Sequence, residues 1–131
     1  MDKQEKQLQA YQNWARQELG RAIDFWLQNG MDHEYGGVYT CLDRTGKIYS
    51  NDKSVWMQGR CGWAFAYLSH LYGQKQEWMA ASKSCLDFME QYCIHRKQGN
   101  RMYFTVTADG QPLRQRRYCF SERFYCIANA E

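Results

Sequence analysis

Arg60 is the residue whose type and position most directly suggest chemistry. It closes the stretch of residues 53–60 and lies about one and a half turns inside a predicted helix, where the positive end of the helix dipole disfavours a cation. Its neighbours Trp56, Cys61 and Trp63 are apolar or small, so we expect the guanidinium to lie beside packed surface. Burying it unpaired would be costly, so the sequence predicts either a structural ion pair with a carboxylate or an anionic or polyhydroxylic ligand.

Four helical segments are predicted to position this side chain. Their apolar residues recur at intervals of three and four, over residues 4–28, 55–72, 76–93 and 121–131. We expect Asn29-Gly30 and Gly73 to end the first two segments, because these residues tolerate the left-handed conformation. Ser54 or Asp52 can cap the second segment, and Ser121 the fourth.

A β-hairpin is predicted between the first and second helices and another between the third and fourth. The first hairpin has strands at residues 38–42 and 47–49 around a turn at 43–46. The second has strands at residues 102–106 and 112–116 around a turn at 108–110. The order helix, hairpin, helix therefore occurs twice. A shift of 64 residues superposes Gly46 on Gly110 and Gln58 on Glu122. Because repeated helix pairs usually need three or more units to bury their faces, we expect the chain to be a fragment of a larger ring or solenoid.

Composition limits the class of protein. A chain of 131 residues with 44% hydrophobic and 24% charged residues is typical of one globular domain. A net charge of +3 is too small to indicate nucleic-acid binding without a concentrated basic patch. The sequence contains neither an apolar run long enough to span a membrane nor a secretory signal, so we expect no membrane partner and a cytoplasmic location. The aromatic content of 16% suits either an aromatic core or a sugar-stacking surface.

The six cysteines are predicted to be small buried hydrophobes in a reducing compartment. No two of them have the Cys-x-x-Cys spacing, and several occupy apolar helical positions. We therefore expect neither disulfides nor a zinc site that uses His33, His70 or His95.

Five short motifs follow one another in an order that identifies a family. They are Phe25-Trp26-Leu27, Asp32-x-Glu34-x-Gly36-Gly37, Leu42-Asp43-Arg44-x-Gly46, Lys53-x-x-Trp56-Met57-Gln58-Gly59-Arg60 and Ser121-Glu122-x-Phe124-Tyr125. Together, over residues 25–131, they resemble the N-terminal part of the N-acylglucosamine 2-epimerase family, which includes renin-binding protein. The Trp-Met-Gln-Gly-Arg form favours N-acylglucosamine epimerases over the cellobiose epimerases and aldose–ketose isomerases of the same fold.

The resemblance implies an all-α fold, an α/α barrel of six helical hairpins with short β-hairpins at one mouth. Residues 1–131 would form a single incomplete domain of two helical hairpins, about one third of the barrel. The 64-residue repeat agrees, since six units need about 380 residues. The implied reaction interconverts N-acyl-D-glucosamine and N-acyl-D-mannosamine by proton transfer at C2. It requires no cofactor, and its partner is a small amino sugar; regulation by a nucleotide and a homodimer of the full-length protein stay open.

The resemblance also assigns roles to individual residues. Arg60 matches the family's active-site arginine, which can hold the oxyanion of an enediolate. Glu122 either stabilises a helix N-terminus or faces the pocket, where it would pair with Arg60 or a sugar hydroxyl. Trp56, Tyr39 and Tyr125 are candidates for substrate binding, with a core role as the alternative. The family's two catalytic histidines lie on later helices and match no histidine of this chain, so the fragment alone is expected to be inactive.

Two alternatives remain at this stage. The basic run of residues 114–117 is expected to be a solvated face of the second hairpin, with a phosphate or nucleotide site as the minority interpretation. The function could also be non-catalytic binding on the same scaffold, as the renin-binding name suggests, or the reaction of a related isomerase or cellobiose 2-epimerase.

Overall fold

Most of the chain is helical. The computed structural model describes residues 2–116 and 118–131. Its helices are α1 (Lys3–Phe25), α2 (Val55–Tyr72), α3 (Gln76–Phe88) and α4 (Phe120–Ala130). A π-helical turn extends α1 over Trp26–Gly30, and another extends α3 over Met89–Cys93. These bounds agree with the four predicted segments to within about two residues.

Helix α1 is fixed at its start and exposed over most of its length. The Asp2 carboxylate accepts a hydrogen bond from the Glu5 N–H at 2.8 Å, and the Glu5 carboxylate accepts one from the Asp2 N–H at 2.7 Å. No residue of α1 is buried. The helical run ends at Gly30, as predicted, but not in the left-handed conformation, because Gly30 has no positive φ. Gly30 instead permits close packing, since an added Cβ would lie 2.5 Å from the Trp26 ring.

Helix α2 is the centre of the structure. It packs against both α3 and α4. Only three residues, 73–75, join it to α3, and Gly73 ends it with a φ of 89°, as predicted. The sequence analysis predicted two helical hairpins among these four helices. In the structure the tight antiparallel pair is α2 with α3, because the short link holds these helices side by side.

The predicted capping residues are not used as expected. Ser54 is at the N-cap position of α2 but makes no side-chain capping bond. Ser121 lies inside α4, whose N-cap position is Cys119. The Ser121 hydroxyl instead accepts a hydrogen bond from the Trp56 indole N–H at 3.1 Å, so its role is to connect α4 to α2.

In the described part of the chain, seven short strands lie between the helices. They are β1 (Cys41–Leu42), β2 (Ile48–Ser50), β3 (Lys53–Ser54), β4 (Ile94–His95), β5 (Arg101–Met102), β6 (Thr105–Val106) and β7 (Pro112–Arg114). All pairings are antiparallel: β1 with β2, β4 with β5, and β6 with both β3 and β7. The single strand predicted at 102–106 is two strands, because β5 and β6 pair with different partners. Of the strand predicted at 38–42, only Cys41–Leu42 joins a ladder, while Val38 forms an isolated bridge with Met31.

The two halves of the chain repeat the same hydrogen bonds at a spacing of 64 residues. Gly46 N–H donates to the Asp43 carbonyl at 3.0 Å, and Gly110 N–H donates to the Thr107 carbonyl at the same distance. Both glycines have positive φ, 89° and 86°, a conformation that most other residues avoid. The weak sequence repeat is therefore a structural repeat.

Two clusters of buried side chains form the core, one between α2 and α3 and one around the start of α2 and the second hairpin. Cys61, Cys85 and Cys93 belong to these clusters, and burial raises the pKa of the Cys93 thiol to about 12. Cys119 and Cys126 are exposed, so the prediction of buried cysteines was wrong for these two. Among the described residues, no helix combines the length and apolar character needed to cross a membrane.

Candidate functional site

Arg60 is placed by the way the chain enters α2. Strand β3 pairs with β6, and directly afterwards the Val55 N–H donates to the Phe104 carbonyl at 3.0 Å. The last residues before the helix are thus tied to the second hairpin. Because a helix is rigid over five residues, the position of Arg60 follows from that anchor.

The anchor includes a buried ion pair that the sequence analysis missed. The Lys53 side chain is 0% exposed, and its Nζ lies 2.6 Å from Asp32 Oδ2. The same ammonium donates to the carbonyl of Gly36 at 2.8 Å and to that of Ala108 at 3.0 Å. All three N–H donors are therefore satisfied. Lys53 connects the loop before the first hairpin, the turn of the second hairpin and the start of α2.

The pKa values of both partners of this pair are lowered, for different reasons. Desolvation lowers the pKa of Lys53, although Asp32 opposes the shift. Desolvation alone would raise the pKa of Asp32, but hydrogen bonds from Lys53 and from the Tyr35 and Glu34 N–H groups outweigh it and lower that pKa. The carboxylate is thus held ionised. We assign the pair a structural role, because its polar atoms face backbone and each other.

Arg60 itself lies on an exposed, mostly apolar face between α2 and α4. Its guanidinium carbon is 4.6 Å from the centre of the Phe124 ring, a distance typical of a cation–π contact. Within residues 2–116 and 118–131 no carboxylate pairs with it. Arg60 is exposed, and its guanidinium lies beside packed aromatic surface, as expected. Its donors therefore remain available to a ligand.

Two cavities meet at Arg60. One, of about 260 Å³, lies between α1 and α2, and the other, of about 510 Å³, lies between α2 and α4. Both are lined by apolar side chains apart from this arginine. Trp63 lines the second cavity, and its ring is stacked on Tyr67 with centroids 5.0 Å apart. A cation on an apolar, aromatic surface suits a ligand that combines hydroxyl or oxyanion groups with a ring face.

Trp56 lies in an aromatic cluster that we define as Trp56, Phe104, Phe120 and Phe124. Its ring centre lies 5.1, 5.4 and 5.8 Å from those of the three phenylalanines. Its indole N–H is already bonded to Ser121. Trp56 therefore contacts the Phe124 ring on which Arg60 rests, and it supports the Arg60 face through that ring.

Glu122 does not pair with Arg60. Its Oε1 accepts hydrogen bonds from Arg101 Nε at 2.6 Å and from the Met102 N–H at 3.0 Å. Desolvation would raise the pKa of Glu122, but these two bonds outweigh it and lower that pKa. Gln58 makes the equivalent bond 64 residues earlier, accepting from the Val38 N–H at 2.8 Å. Glu122 thus occupies a structural position of the repeat.

Tyr39 and Tyr125 are held away from Arg60. The Tyr39 ring lies 5.3 Å from Lys53 Nζ, and the Tyr125 hydroxyl donates to the Glu90 carboxylate. Neither residue lines the two cavities beside Arg60. Of the five residues singled out from the sequence, only Arg60 lines these two cavities, and Trp56 is connected to it through the Phe124 ring. In the described part of the chain, no three His, Cys, Asp or Glu side chains are placed to hold a metal ion.

Solved structures share this arrangement of helices. Cellobiose 2-epimerase from Bacillus thermoamylovorans B4167 matches with a TM-score of 0.77 and 23% identity, over 88% of this chain and 30% of that one. A D-mannose isomerase matches with a TM-score of 0.73 and 13% identity, over 90% of this chain and 31% of that one. The fold is therefore the helical fold of sugar epimerases and isomerases.

Sequence comparison defines the family within that class. Residues 37–131 match the family described as N-acylglucosamine 2-epimerase (GlcNAc 2-epimerase), and the chain belongs to that carbohydrate epimerase family. Over 133 aligned residues it is 37% identical to N-acylglucosamine 2-epimerase of Mus musculus and 35% identical to that of Homo sapiens. These alignments cover 100% of this chain and 32% and 31% of the relatives. The chain thus spans about a third of their length.

Proposed function

We propose that this chain contributes the arginine side of the active site of an N-acylglucosamine 2-epimerase. The reaction would interconvert N-acyl-D-glucosamine and N-acyl-D-mannosamine by removing and returning the proton at C2 of the ring-opened sugar. The observation that carries the proposal is the exposed Arg60 guanidinium, which has no carboxylate partner in the described chain and lies on an apolar, aromatic face.

The role proposed for Arg60 follows from the charge that the reaction creates. Removing the C2 proton next to the C1 aldehyde produces an enediolate, whose oxyanion needs a donor that is already in place. The stacking of Arg60 on Phe124 fixes the guanidinium without using its N–H groups. A planar fork of donors can then contact the developing oxyanion or an adjacent hydroxyl.

The proton-transfer groups would come from elsewhere in the protein. Proton transfer at C2 needs an acid and a base within hydrogen-bonding reach of that carbon. His70 is on α2, but it lies ten residues beyond Arg60, about 15 Å along the helix axis. His95 is in β4, where its ring stacks on Tyr103 with centroids 5.1 Å apart. We therefore propose that residues 1–131 alone are inactive.

The same proposal places the chain as about one third of a six-hairpin α/α barrel. The 64-residue structural repeat and the one-third coverage of the relatives support this fraction. In such a barrel α2 and α4 would be inner helices, and the turns of the two β-hairpins would lie at the mouth nearest Arg60. The apolar sides of α2 and α4 would meet further helices.

The experiment is an exchange assay in D₂O with the full-length enzyme that contains this segment. With N-acetylmannosamine as substrate, we expect conversion to the glucosamine epimer together with deuterium at C2. Cellobiose and mannose, the sugars in the names of the related enzymes, are tested as alternative substrates. Faster turnover of either one, or epimerisation without deuterium at C2, would contradict the proposal.

A further inference from the structure

Four arginine side chains surround the aromatic cluster of Trp56, Phe104, Phe120 and Phe124. The guanidinium carbon of Arg60 lies 4.6 Å from the centre of the Phe124 ring, and that of Arg123 lies 5.4 Å from the centre of the Phe120 ring. Two more lie over Phe104: the guanidinium carbon of Arg116 at 4.2 Å and that of Arg114 at 5.8 Å from the ring centre. Since Phe104, Phe120 and Phe124 all contact Trp56, the four charges share one region of the molecule.

These charges are not compensated locally. In residues 2–116 and 118–131, the ion pairs of arginine involve Arg21, Arg96 and Arg101 and none of the four arginines of the aromatic cluster. The region therefore has a positive potential that favours an anion.

Arg116 provides the second observation. It is half-buried against Phe104, whereas Arg114 and Gln115 of the basic run are exposed, as expected, and Arg117 lies outside the described residues. Its Nε is buried and has no hydrogen-bond partner among the described residues. Buried donors are almost always satisfied, so this unpartnered one is open to an acceptor on a bound molecule. Arg114 reaches the same ring from β7, which brings a second guanidinium to this acceptor.

We propose that Arg114 and Arg116 bind an anionic group, a phosphate or a carboxylate, beside the sugar site at Arg60. Guanidinium groups match such groups because two parallel N–H donors can contact two oxygens. The site lies at the second hairpin, next to Trp56, so a sugar near Arg60 can carry the anionic group into it. This extension of the substrate class rests on the proposed function, whereas the anion site itself does not.

Isothermal titration calorimetry with inorganic phosphate tests the site. We expect the full-length protein to bind phosphate, and Arg116→Gln to weaken that binding by about 10- to 100-fold, the effect of losing a charged hydrogen-bond donor. Arg16→Gln, an exposed arginine of α1, is the matched control and should leave the affinity unchanged. If Arg116→Gln does not fold, Arg114→Gln at an exposed position should show the same direction of change.

A second titration distinguishes the source of the anion. N-acetylmannosamine 6-phosphate should bind at least about tenfold more tightly than phosphate if the sugar carries the anionic group, and equally tightly if a free anion occupies the site. Absence of phosphate binding up to about 10 mM, or equal binding by the wild type and both hairpin variants, would overturn the proposal. Because the titration measures binding without turnover, its result does not depend on the outcome of the epimerase assay.

Discussion

Lys53 is the residue on which the geometry of the site depends most. It is fully buried, yet its three donors reach Asp32 and two backbone carbonyls from different parts of the chain. Replacing both members of a buried pair can be nearly neutral, but removing one member leaves an uncompensated charge. Substitutions at Lys53 and Asp32 therefore test how the hairpins are connected to α2.

We expect Lys53→Met to lower the free energy of unfolding by about 3–5 kcal/mol, because Asp32 would remain buried without its cation. The double variant Lys53→Met/Asp32→Asn should be less destabilised, since the amide keeps an acceptor for the Glu34 and Tyr35 N–H groups. Lys83→Met, at an exposed ion pair of α3, should change stability by less than about 1 kcal/mol. Urea unfolding measures all three. A double variant as unstable as the single one would show that the charge is not the cause.

Glu122 should make stability depend on pH. Its pKa is lowered in the folded state, so its contribution is complete above the ordinary value of 4.5 and is lost as the pH falls through the folded value. We expect Glu122→Gln to reduce the loss of unfolding free energy between about pH 5 and pH 3, by as much as about 1.4 kcal/mol per pH unit. The amide keeps the bond from Met102, as Gln58 does with Val38. Identical pH profiles for variant and wild type would contradict this assignment.

At the scale of elements, the approach of α2 to α4 depends on Gly59. A Cβ added there would lie 2.7 Å from both Cβ and the carbonyl oxygen of Phe124. The glycine thus allows the backbones to come close, and the same contact sets Phe124 beneath Arg60. Gly62, three residues further along α2, has more room, with its nearest contacts at 3.5 Å.

We predict that Gly59→Ala lowers the free energy of unfolding by about 1–3 kcal/mol, the usual effect of overpacking. Gly20→Ala is the matched control, because Gly20 is in α1 with nothing within 4 Å of its added Cβ. That change should stabilise the protein by up to about 1 kcal/mol through helix propensity alone. Thermal denaturation of both variants gives the comparison. Equal stability changes in the same direction would exclude close packing at Gly59.

The helices could be predicted from the sequence because their apolar residues repeat over many turns. Strands β3 and β4 could not, since two residues have no periodicity. The ion pair of Lys53 and Asp32 was missed because 21 residues separate its members and isolated charges are usually exposed. Arg60 was identified from its unusual position near a helix start. The exposure of Arg60 could not be predicted, because the apolar residues around it indicate that they pack, but not which other elements cover them.

At the scale of the whole molecule, the amount of exposed apolar surface is large. Leu8, Tyr11 and Trp14 of α1 are each at least 60% exposed, and Trp63, Tyr67 and Ile127 are exposed on α2 and α4. Extended surfaces of this kind mark interfaces. We therefore predict that residues 1–131 expressed alone bind a hydrophobic dye and self-associate. Light scattering and dye fluorescence measure this. A monodisperse monomer that binds no dye would contradict the proposal that these faces meet further helices.

The central claim is that Arg60 stabilises charge in the transition state, and one substitution tests it most directly. In the full-length enzyme, Arg60→Lys should lower kcat by about 10²–10³-fold, the effect of losing one oxyanion donor. KM should change much less, because the interaction forms chiefly in the transition state. The Tm should stay near that of the wild type, since Arg60 is exposed and has no ion pair in the described chain. Arg16→Lys should leave kcat, KM and Tm unchanged. An Arg60→Lys enzyme with normal kcat and a lowered Tm would contradict the account and make Arg60 a structural residue.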